Sequence, residues 1–311
     1  MLNREVSKNL FSHIETARYN VAAWQDAGGT LFMLGREVER GPKNARNPDF
    51  GRLVLVEFDA MGNIIRDQVV WKPTGDSLWL EDPRALALPD GSVLIGLTAV
   101  LREKRGYKPY PAITRLSRTV WREETLPAIT IVERFGPGKN ITPIDDHLFL
   151  YRPEGEGYSH KLLLFSFDEL LARKLQDIEF PRDLPWAMWR IGTALPPLWI
   201  EENAALIIFH GITITNGRYV YSLGKGRIDR KDGQLKLTVS SEPILTPDDF
   251  VDDHGRSLVS ELHPKIRRVV YACGGVVKSD KQDTLSLFVN VGDTATFEVN
   301  FALADLMNEL W

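Results

Sequence analysis

The fold is decided by the stretch from Arg84 to Val100, RALALPDGSVLIGLTAV. Two apolar runs flank the tight turn Pro89-Asp90-Gly91, and an Asp-Gly pair in this setting is a strong signal for a β-hairpin. The first run is preceded by Trp79-Leu80-Glu81-Asp82-Pro83, so that a pair of acidic residues directly precedes a predicted strand. This stretch therefore predicts two antiparallel strands with a cluster of charges at the start.

The same pattern of short apolar or alternating runs, separated by Gly, Pro, Asn and Asp, recurs along the chain. Helical periodicity is confined to two short segments, Phe167 to Leu175 and Ala302 to Leu310. We therefore predict an all-β fold with short peripheral helices. The other predicted strands are Thr30 to Gly35, Leu53 to Phe58, Ile64 to Trp71, His147 to Tyr151, Lys161 to Phe165, Leu198 to Ile200, Ala205 to His210, Tyr219 to Ile228, Leu235 to Ser240, Val269 to Val277 and Thr284 to Val291.

These strands form about five groups of roughly 60 residues each, which favours a five-bladed β-propeller. No linker or shift in composition divides the chain. We predict a single propeller domain over residues 1–311, with residues 1–17 as an N-terminal extension. The groups begin near Tyr19, Leu78, Ile129, Trp189 and Val269.

Composition restricts the partners of the protein. The 311 residues carry a formal charge of -4, with 43% hydrophobic and 26% charged residues, which is typical of a globular protein. A chain without a basic excess is a poor partner for nucleic acid or an anionic membrane surface. A single cysteine, Cys273, excludes an intramolecular disulfide. No signal peptide or long apolar run is evident, so we expect a cytoplasmic protein.

The stretch from Trp79 to Arg84 is the first candidate for chemistry. Pro83 restricts the residue before it, so we expect Asp82 in extended backbone. In a strand Glu81 and Asp82 would point to opposite faces, and Arg84 would share the face of Asp82. An exposed turn with an ion pair is the structural alternative.

Further polar residues follow directly after apolar strands, at spacings close to one blade. In a propeller such strand ends converge on one axial pocket. Singly, each residue also fits a structural role, such as a core histidine or an ion pair between blades. The stretches are Gly35-Arg36-Glu37, Lys139-Asn140, Tyr151-Arg152-Pro153, Arg190-Ile191-Gly192, Phe209-His210-Gly211 and Gly292-Asp293-Thr294.

In this order the motifs resemble glycoside hydrolase family 130, the β-mannoside phosphorylases and their hydrolytic relatives. The resemblance extends over roughly residues 18–308. It implies a five-bladed propeller, the fold that the strand pattern predicts separately. The motifs are Glu81-Asp82-Pro83-Arg84, Tyr151-Arg152-Pro153, Ile191-Gly192 with Pro196-Pro197, Phe209-His210-Gly211, Tyr221-Ser222-Leu223-Gly224, Glu242-Pro243-Ile244-Leu245, Ala272-Cys273-Gly274 and Gly292-Asp293-Thr294.

The resemblance implies roles for these residues. Asp82 matches the catalytic acid, which protonates the leaving oxygen through a mannose hydroxyl while inorganic phosphate attacks from the opposite face. Arg152 and His210 match the phosphate site, and Lys139, Arg115 and Arg190 are further candidates for it. Arg36, Arg84 and Asp293 match positions that lie near the sugar pocket in the family. The co-substrate would be inorganic phosphate, with no other cofactor, and the histidines show no metal-ligand spacing.

Three functions remain open. One acid beside several cations favours phosphorolysis of a β-mannoside to mannose 1-phosphate, because a phosphate nucleophile needs no catalytic base. An inverting hydrolase would need a second carboxylate opposite Asp82; the candidates are Glu37, Glu81, Asp145, Asp146 and Asp253. The third hypothesis is a catalytically degenerate propeller that binds saccharides.

The chain departs from the family pattern at Pro137 to Pro143, which lacks an acid, at Gly192-Thr193-Ala194, and at Arg190, where a lysine is usual. The family also suggests a homo-oligomer.

Overall fold

The fold was derived from a computed structural model that describes residues 4–13, 16–38, 51–73, 75, 77–104, 106–117, 125–168, 171–252, 254, 258, 268–278, 283–308 and 310–311. In this part of the chain the strands form five antiparallel sheets. The first strands of the sheets lie against one another, so the sheets surround a common axis. The protein is a five-bladed β-propeller, as the sequence predicts.

Each blade contains four main strands, and all pairings between them are antiparallel. Blade 1 contains β2 (Ala17–Gln25), β3 (Leu31–Val38), β4 (Arg52–Phe58) and β5 (Ile64–Trp71). Blade 2 contains β6 (Leu78–Ala87), β7 (Val93–Glu103), β8 (Gly106–Leu116) and β9 (Thr130–Ile131). Blade 3 contains β10 (Gly138–Pro143), β11 (Leu148–Pro153), β12 (Lys161–Asp168) and β13 (Leu171–Glu179). Blade 4 contains β14 (Arg190–Thr193), β16 (Ala204–Thr215), β17 (Arg218–Lys231) and β18 (Gln234–Val239), with β15 (Leu198–Glu201) also paired to β16.

Blade 5 is built from both ends of the chain. It contains β19 (Val270–Val277), β20 (Thr284–Val291), β21 (Ala295–Ala302) and, outermost, β1 (Arg4–Asn9). Arg4 pairs with Phe301 and Val6 with Val299. Residues 4–9, which the sequence places in an N-terminal extension, are therefore an integral strand that closes the ring.

The hydrophobic core lies between the blades. Neighbouring residues on β7 serve different clusters, because Leu94 packs toward blade 3 and Ile95 packs toward blade 1. Both faces of a middle strand are thus buried, which explains its nearly continuous apolar sequence. At the seam between blades 5 and 1, a Cβ on Gly274 would lie 2.4 Å from the backbone nitrogen of Ala23. Close packing of the inner strands therefore requires glycine there.

The helix predicted from Phe167 to Leu175 is wrong. This segment contains the end of β12 and the start of β13, with Phe167 paired to Ala172. Leu171 and Leu175 are exposed on the outermost strand, and their spacing imitates one face of a helix. The helix predicted at the C-terminus is present in shorter form as α1 (Leu303–Met307).

One predicted blade boundary is also wrong. The third group was placed near Ile129, but Thr130–Ile131 is the outer strand of blade 2, and blade 3 begins at Gly138. Strand β9 has only two residues, so its sequence carries no signal that assigns it to the preceding blade.

Candidate active site

Residues from all five blades line a cavity of about 170 Å³ at one end of the propeller axis. The described residues that line it include three carboxylates, three basic side chains and one histidine. This density of buried charge in a cavity marks a candidate functional site. The lining residues are Asn20, Arg36, Glu81, Asp82, Lys139, Asn140, Arg152, His210, Tyr221, Val269, Tyr271 and Asp293.

The inner strands of three blades present these side chains through β-bulges. The register of pairing shifts between Tyr19 and Ala22, between Glu81 and Arg84, and between Lys139 and Thr142. A bulge inserts an extra residue and redirects its side chain, a device found beside many active sites. The residues at the bulges, Asn20, Asp82 and Asn140, have φ of 52°, 50° and 61°.

The prediction that Asp82 lies in extended backbone is therefore wrong. Its φ of 50° is in the left-handed region, where Asp and Asn are tolerated better than most side chains. Pro83 has no N–H to offer a neighbouring strand, which suits it to a bulge. As a consequence Glu81 and Asp82 both reach the cavity, although a regular strand would direct them to opposite faces.

The carboxylate of Asp82 is held mainly through one oxygen. Asn20 donates a hydrogen bond from Nδ2 to Oδ1 over 2.6 Å, and Nη1 of Arg36 lies 3.8 Å from the same oxygen. Only 10% of the Asp82 side chain is exposed. The second oxygen, Oδ2, has no hydrogen bond to any described residue, so it is the oxygen open to a ligand.

Both carboxylate oxygens of Glu81 bind neighbouring side chains. Its Oε1 accepts a hydrogen bond from the Trp79 indole over 2.8 Å, and its Oε2 pairs with Nζ of Lys139 over 2.9 Å. Burial raises the pKa of Glu81, but the charges of Lys139 and Arg36 and these hydrogen bonds outweigh it and bring the pKa to about 2. Glu81 is therefore ionised at neutral pH and holds the ammonium group of Lys139.

Acid should weaken the fold through Glu81. Because folding lowers the pKa of Glu81 from 4.5 to about 2, its stabilisation is complete above pH 4.5 and is lost as the pH falls towards 2. We expect Glu81→Gln to remove on the order of 3 kcal/mol at neutral pH and to flatten the dependence of stability on pH in this range. Urea unfolding at pH 7 and pH 3 measures both effects.

The matched control is Glu179→Gln, which removes an exposed pair with Lys161 and should change stability little. Equal acid sensitivity of the wild type and the Glu81→Gln variant would contradict the account of this ion pair.

Arg152 and His210, from blades 3 and 4, form a second group in the cavity lining. Nη1 of Arg152 lies 3.4 Å from Nε2 of His210, and both side chains are buried. Burial and the nearby charge of Arg190 lower the pKa of Arg152. Burial, Arg152 and Arg84 lower the pKa of His210 well below its usual range, so this histidine is neutral. Among the described residues, Arg152 forms no ion pair with a carboxylate, and its charge is available to an anion.

Gly192 provides the space that His210 needs. It pairs with His210 across β14 and β16. A Cβ at this position would lie 2.6 Å from Cε1 of His210 and 2.7 Å from Oδ1 of Asn140. The next residue, Thr193, donates a hydrogen bond from Oγ1 to the carbonyl of Asn140 over 3.0 Å and so joins blades 3 and 4 below the cavity.

Arg84, predicted to lie near the sugar pocket, supports the cavity from beneath and does not line it. It is completely buried. Its guanidinium donates hydrogen bonds to the carbonyl of Asp82 over 2.8 Å, to the carbonyl of Thr193 over 2.9 Å, and to the hydroxyl of Tyr271. These bonds connect three blades and fix the backbone that carries Asp82. Arg84 thus lies near the cavity, and its contacts give it a structural role.

Two of the predicted phosphate-site residues lie outside the cavity. Arg115 is half-exposed and binds Asp90 over 2.7 Å and Ser92 over 2.9 Å, at the turn beyond the far end of β6. The sequence does not reveal which end of a strand a distant arginine reaches. Arg190 lies over the ring of Trp189, 4.7 Å from its centroid, just outside the lining. The other predicted residues, Asp82, Arg152, His210, Lys139, Arg36 and Asp293, come together as expected.

The cavity also contains residues to which the sequence analysis assigned no role. Tyr271 receives a hydrogen bond from Nδ2 of Asn140 over 2.6 Å and packs its ring edge-on to His210. Tyr221 stacks near the other side of His210. Asn20 precedes an apolar run at one-blade spacing from Asp82. That spacing, shared by Asn140, is the signal that would have identified it.

The candidate second carboxylates are mostly occupied elsewhere. Glu37 is buried between Arg18 and Arg52, and Asp145 caps the turn before β11 and pairs with Arg230. Asp146 is an exposed partner of His147. Asp253 lies outside the described residues. Asp293, which accepts a hydrogen bond from Asn290 over 2.9 Å, is the remaining carboxylate in the cavity.

Within the described ranges, no group of three or more His, Cys, Asp or Glu side chains is arranged to hold a metal ion. The same ranges contain no helix of the length and apolarity needed to cross a bilayer.

Comparison with known proteins places the chain beside mannoside phosphorylases. No protein-family model matches the sequence. A β-1,2-mannobiose phosphorylase from Thermoanaerobacter sp. (strain X514) is 33% identical over 100 residues, a match that spans 32% of this chain and 29% of that protein. The solved structure of a β-1,2-mannobiose phosphorylase from Listeria innocua, in complex with β-1,2-mannobiose, has a TM-score of 0.68 and 16% identity over 99% of both chains.

A second solved structure, a mannose phosphorylase from Leishmania mexicana in complex with phosphate ion, has a TM-score of 0.58. It is 15% identical and covers 96% of this chain and 89% of that chain. At these identities the structural matches establish the fold. Together with the sequence match they confirm, at low identity, that this chain resembles the β-mannoside phosphorylases of glycoside hydrolase family 130.

Proposed function

We propose that this protein catalyses the inverting phosphorolysis of a β-mannoside, which yields mannose 1-phosphate and a shortened sugar or alcohol. The observation that carries the proposal is the presence of two unlike groups in one cavity lining. Asp82 has a disengaged Oδ2, and the buried guanidinium of Arg152 has no carboxylate partner among the described residues.

A desolvated guanidinium without a counter-ion is costly, and a bound anion would offset that cost. Arginine suits phosphate because its planar fork donates two parallel hydrogen bonds. Lys139 adds a second positive charge, since it lies directly opposite Arg152 in the β10–β11 pair, and Glu81 holds its ammonium group. Neutral His210 contributes a hydrogen-bonding group without charge. These contacts support inorganic phosphate as the co-substrate.

In the proposed reaction, the sugar lies between Asp82 and the phosphate bound by Arg152. A phosphate oxygen forms a bond to the anomeric carbon while the bond from that carbon to the leaving oxygen breaks. Asp82 supplies the proton for the leaving oxygen, directly or through a sugar hydroxyl as the family resemblance implies. Phosphate is already an anion, so the reaction needs no second carboxylate as a base. Arg36 and Asp293, at the cavity wall, provide hydrogen-bonding groups for sugar hydroxyls.

Hydrolysis is the second candidate, and Asp293 is the observation that favours it. Its carboxylate lines the same cavity as Asp82, as an inverting hydrolase would require of its base. Asp293 would act as the base in this alternative, which therefore depends on that residue.

Phosphate dependence distinguishes the two. The protein is incubated with β-mannobioses of different linkage and with mannosyl-glucose, with and without inorganic phosphate, and mannose 1-phosphate and free mannose are assayed. We expect mannose 1-phosphate only when phosphate is present. Free mannose released at the same rate without phosphate would replace the proposal with hydrolysis, and loss of that activity in Asp293→Asn would identify the base.

A further inference from the structure

The contact between Asn20 and Asp82 carries an inference that rests on the proposed function and extends it. Asn20 is buried on the inner strand of blade 1, and its Nδ2 lies 2.6 Å from Oδ1 of Asp82 on blade 2. Each residue occupies a bulge with φ near 50°. Backbone strain of this kind persists where the surrounding structure imposes it, and it concentrates at functional sites.

The direction of this hydrogen bond follows from the chemistry of the partners. An ionised carboxylate only accepts hydrogen bonds, so the amide of Asn20 must turn its NH₂ group towards Asp82. Arg36 approaches the same oxygen, which strengthens the preference for negative charge there. Both neighbours therefore mark Oδ1 as the acceptor oxygen, and Oδ2 is left for the ligand.

We propose that Asn20 is a positioning residue that selects which oxygen of Asp82 transfers the proton, with Oδ1 held as an acceptor and Oδ2 as the proton donor. In phosphorolysis the proton leaves Oδ2 for the leaving oxygen as the glycosidic bond breaks, and Asp82 becomes a carboxylate. The proton of hydrogen phosphate restores it, so that overall this proton ends on the leaving alcohol. The hydrogen bond from Asn20 stabilises the carboxylate that forms during the step.

Other charged or titratable groups line the same cavity or interact electrostatically with Asp82, and the test must leave them in place. They are Arg36 on blade 1, Glu81 and Arg84 on blade 2, Lys139 and Arg152 on blade 3, His210 and Tyr221 on blade 4, and Tyr271, Cys273 and Asp293 on blade 5. A change at Asn20 that preserves the backbone isolates the contribution of its amide.

Asn20→Gly is that change, because glycine adopts positive φ without strain while the amide is removed. A hydrogen bond to a charged group is worth about 1.5–3 kcal/mol, or one to two pH units in an ionisation. In the pH–kcat profile, we expect the limb on which kcat falls with rising pH to shift to higher pH by about one to two units. We also expect kcat at the plateau to fall about tenfold, with the KM for phosphate unchanged.

Asn20→Asp gives a graded comparison. It keeps the shape and the tolerance of positive φ but places two carboxylates in contact, so that they share a proton. The same limb should move further than in Asn20→Gly. The control is Asn216→Gly, which makes the same substitution at a left-handed, exposed hairpin turn and should leave the profile unchanged.

A purely structural role of Asn20 would lower kcat without shifting the falling limb of the pH–kcat profile. If that limb has the same pH dependence in both Asn20 variants as in the wild type, the inference is wrong even if kcat falls. A wild-type protein that forms no mannose 1-phosphate would instead refute the proposed function. Titration of the ¹³C carboxyl signal of Asp82 in the free protein needs no substrate. A higher midpoint of this titration in Asn20→Gly than in the wild type supports the role of the Asn20 contact, and an unchanged midpoint refutes it.

Discussion

Asp82→Asn is expected to lower kcat for phosphorolysis by roughly 10²–10⁴-fold, the usual contribution of a general acid. Asparagine has the same shape and also tolerates the φ of 50° found at this bulge, so the fold should persist. The amide is far too weak an acid to protonate a leaving oxygen. Steady-state kinetics with a β-mannoside and phosphate, together with the thermal unfolding midpoint, measure both parts of this expectation.

The control is Asp232→Asn. Asp232 also has a left-handed φ, of 52°, but lies exposed in the turn between β17 and β18. It should retain full activity. Substantial phosphorolysis by a folded Asp82→Asn variant would show that another group supplies the proton.

Arg152→Gln is expected to raise the KM for phosphate by about 10- to 100-fold, since hydrogen bonds to charged groups are worth about 1.5–3 kcal/mol. The KM for the mannoside should change much less, because the guanidinium neighbours His210, whereas Asp82 is held by Asn20 and Arg36. The fold should be retained, because Arg152 has no carboxylate partner within the described part of the chain. Initial rates at varied phosphate and fixed mannoside measure the effect.

Arg115→Gln is the matched control, and it tests the structure against the sequence. The motif-based interpretation places Arg115 in the phosphate site, whereas the structure places it beside Asp90 at the other end of blade 2. We therefore expect no change in the KM for phosphate. A large rise of the KM for phosphate in Arg115→Gln, or no rise in Arg152→Gln, would contradict the assignment of Arg152 to the phosphate site.

The architecture was predictable because its signals are local. Asp90-Gly91 determines a hairpin regardless of the rest of the chain, and burial of both faces makes a strand such as β7 continuously apolar. The segment from Leu171 to Leu175 was misread because exposed leucines on an outer strand have no alternating pattern. Strand β9 has only two residues, which is too few to give a recognisable sequence pattern.

The residues of the cavity were predictable in part, but their geometry was not. Asp82, Arg152 and His210 follow from motifs, yet the bulge that turns both Glu81 and Asp82 into the cavity depends on pairing between strands that no local pattern encodes. The hydrogen bond from Asn20 joins residues from different blades, so it depends on how the blades close. The buried position of Arg84 likewise follows from acceptors on two other blades, Thr193 and Tyr271.

Phosphorolysis is tested most directly by a ³¹P NMR time course of the wild-type protein with a β-mannobiose and inorganic phosphate. We expect the phosphate signal to decline as a mannose 1-phosphate signal grows. Because the reaction inverts a β-linkage, the product formed in the first minutes should be the α-anomer. Formation of the β-anomer would contradict inversion, and release of mannose with no loss of the phosphate signal would contradict phosphorolysis.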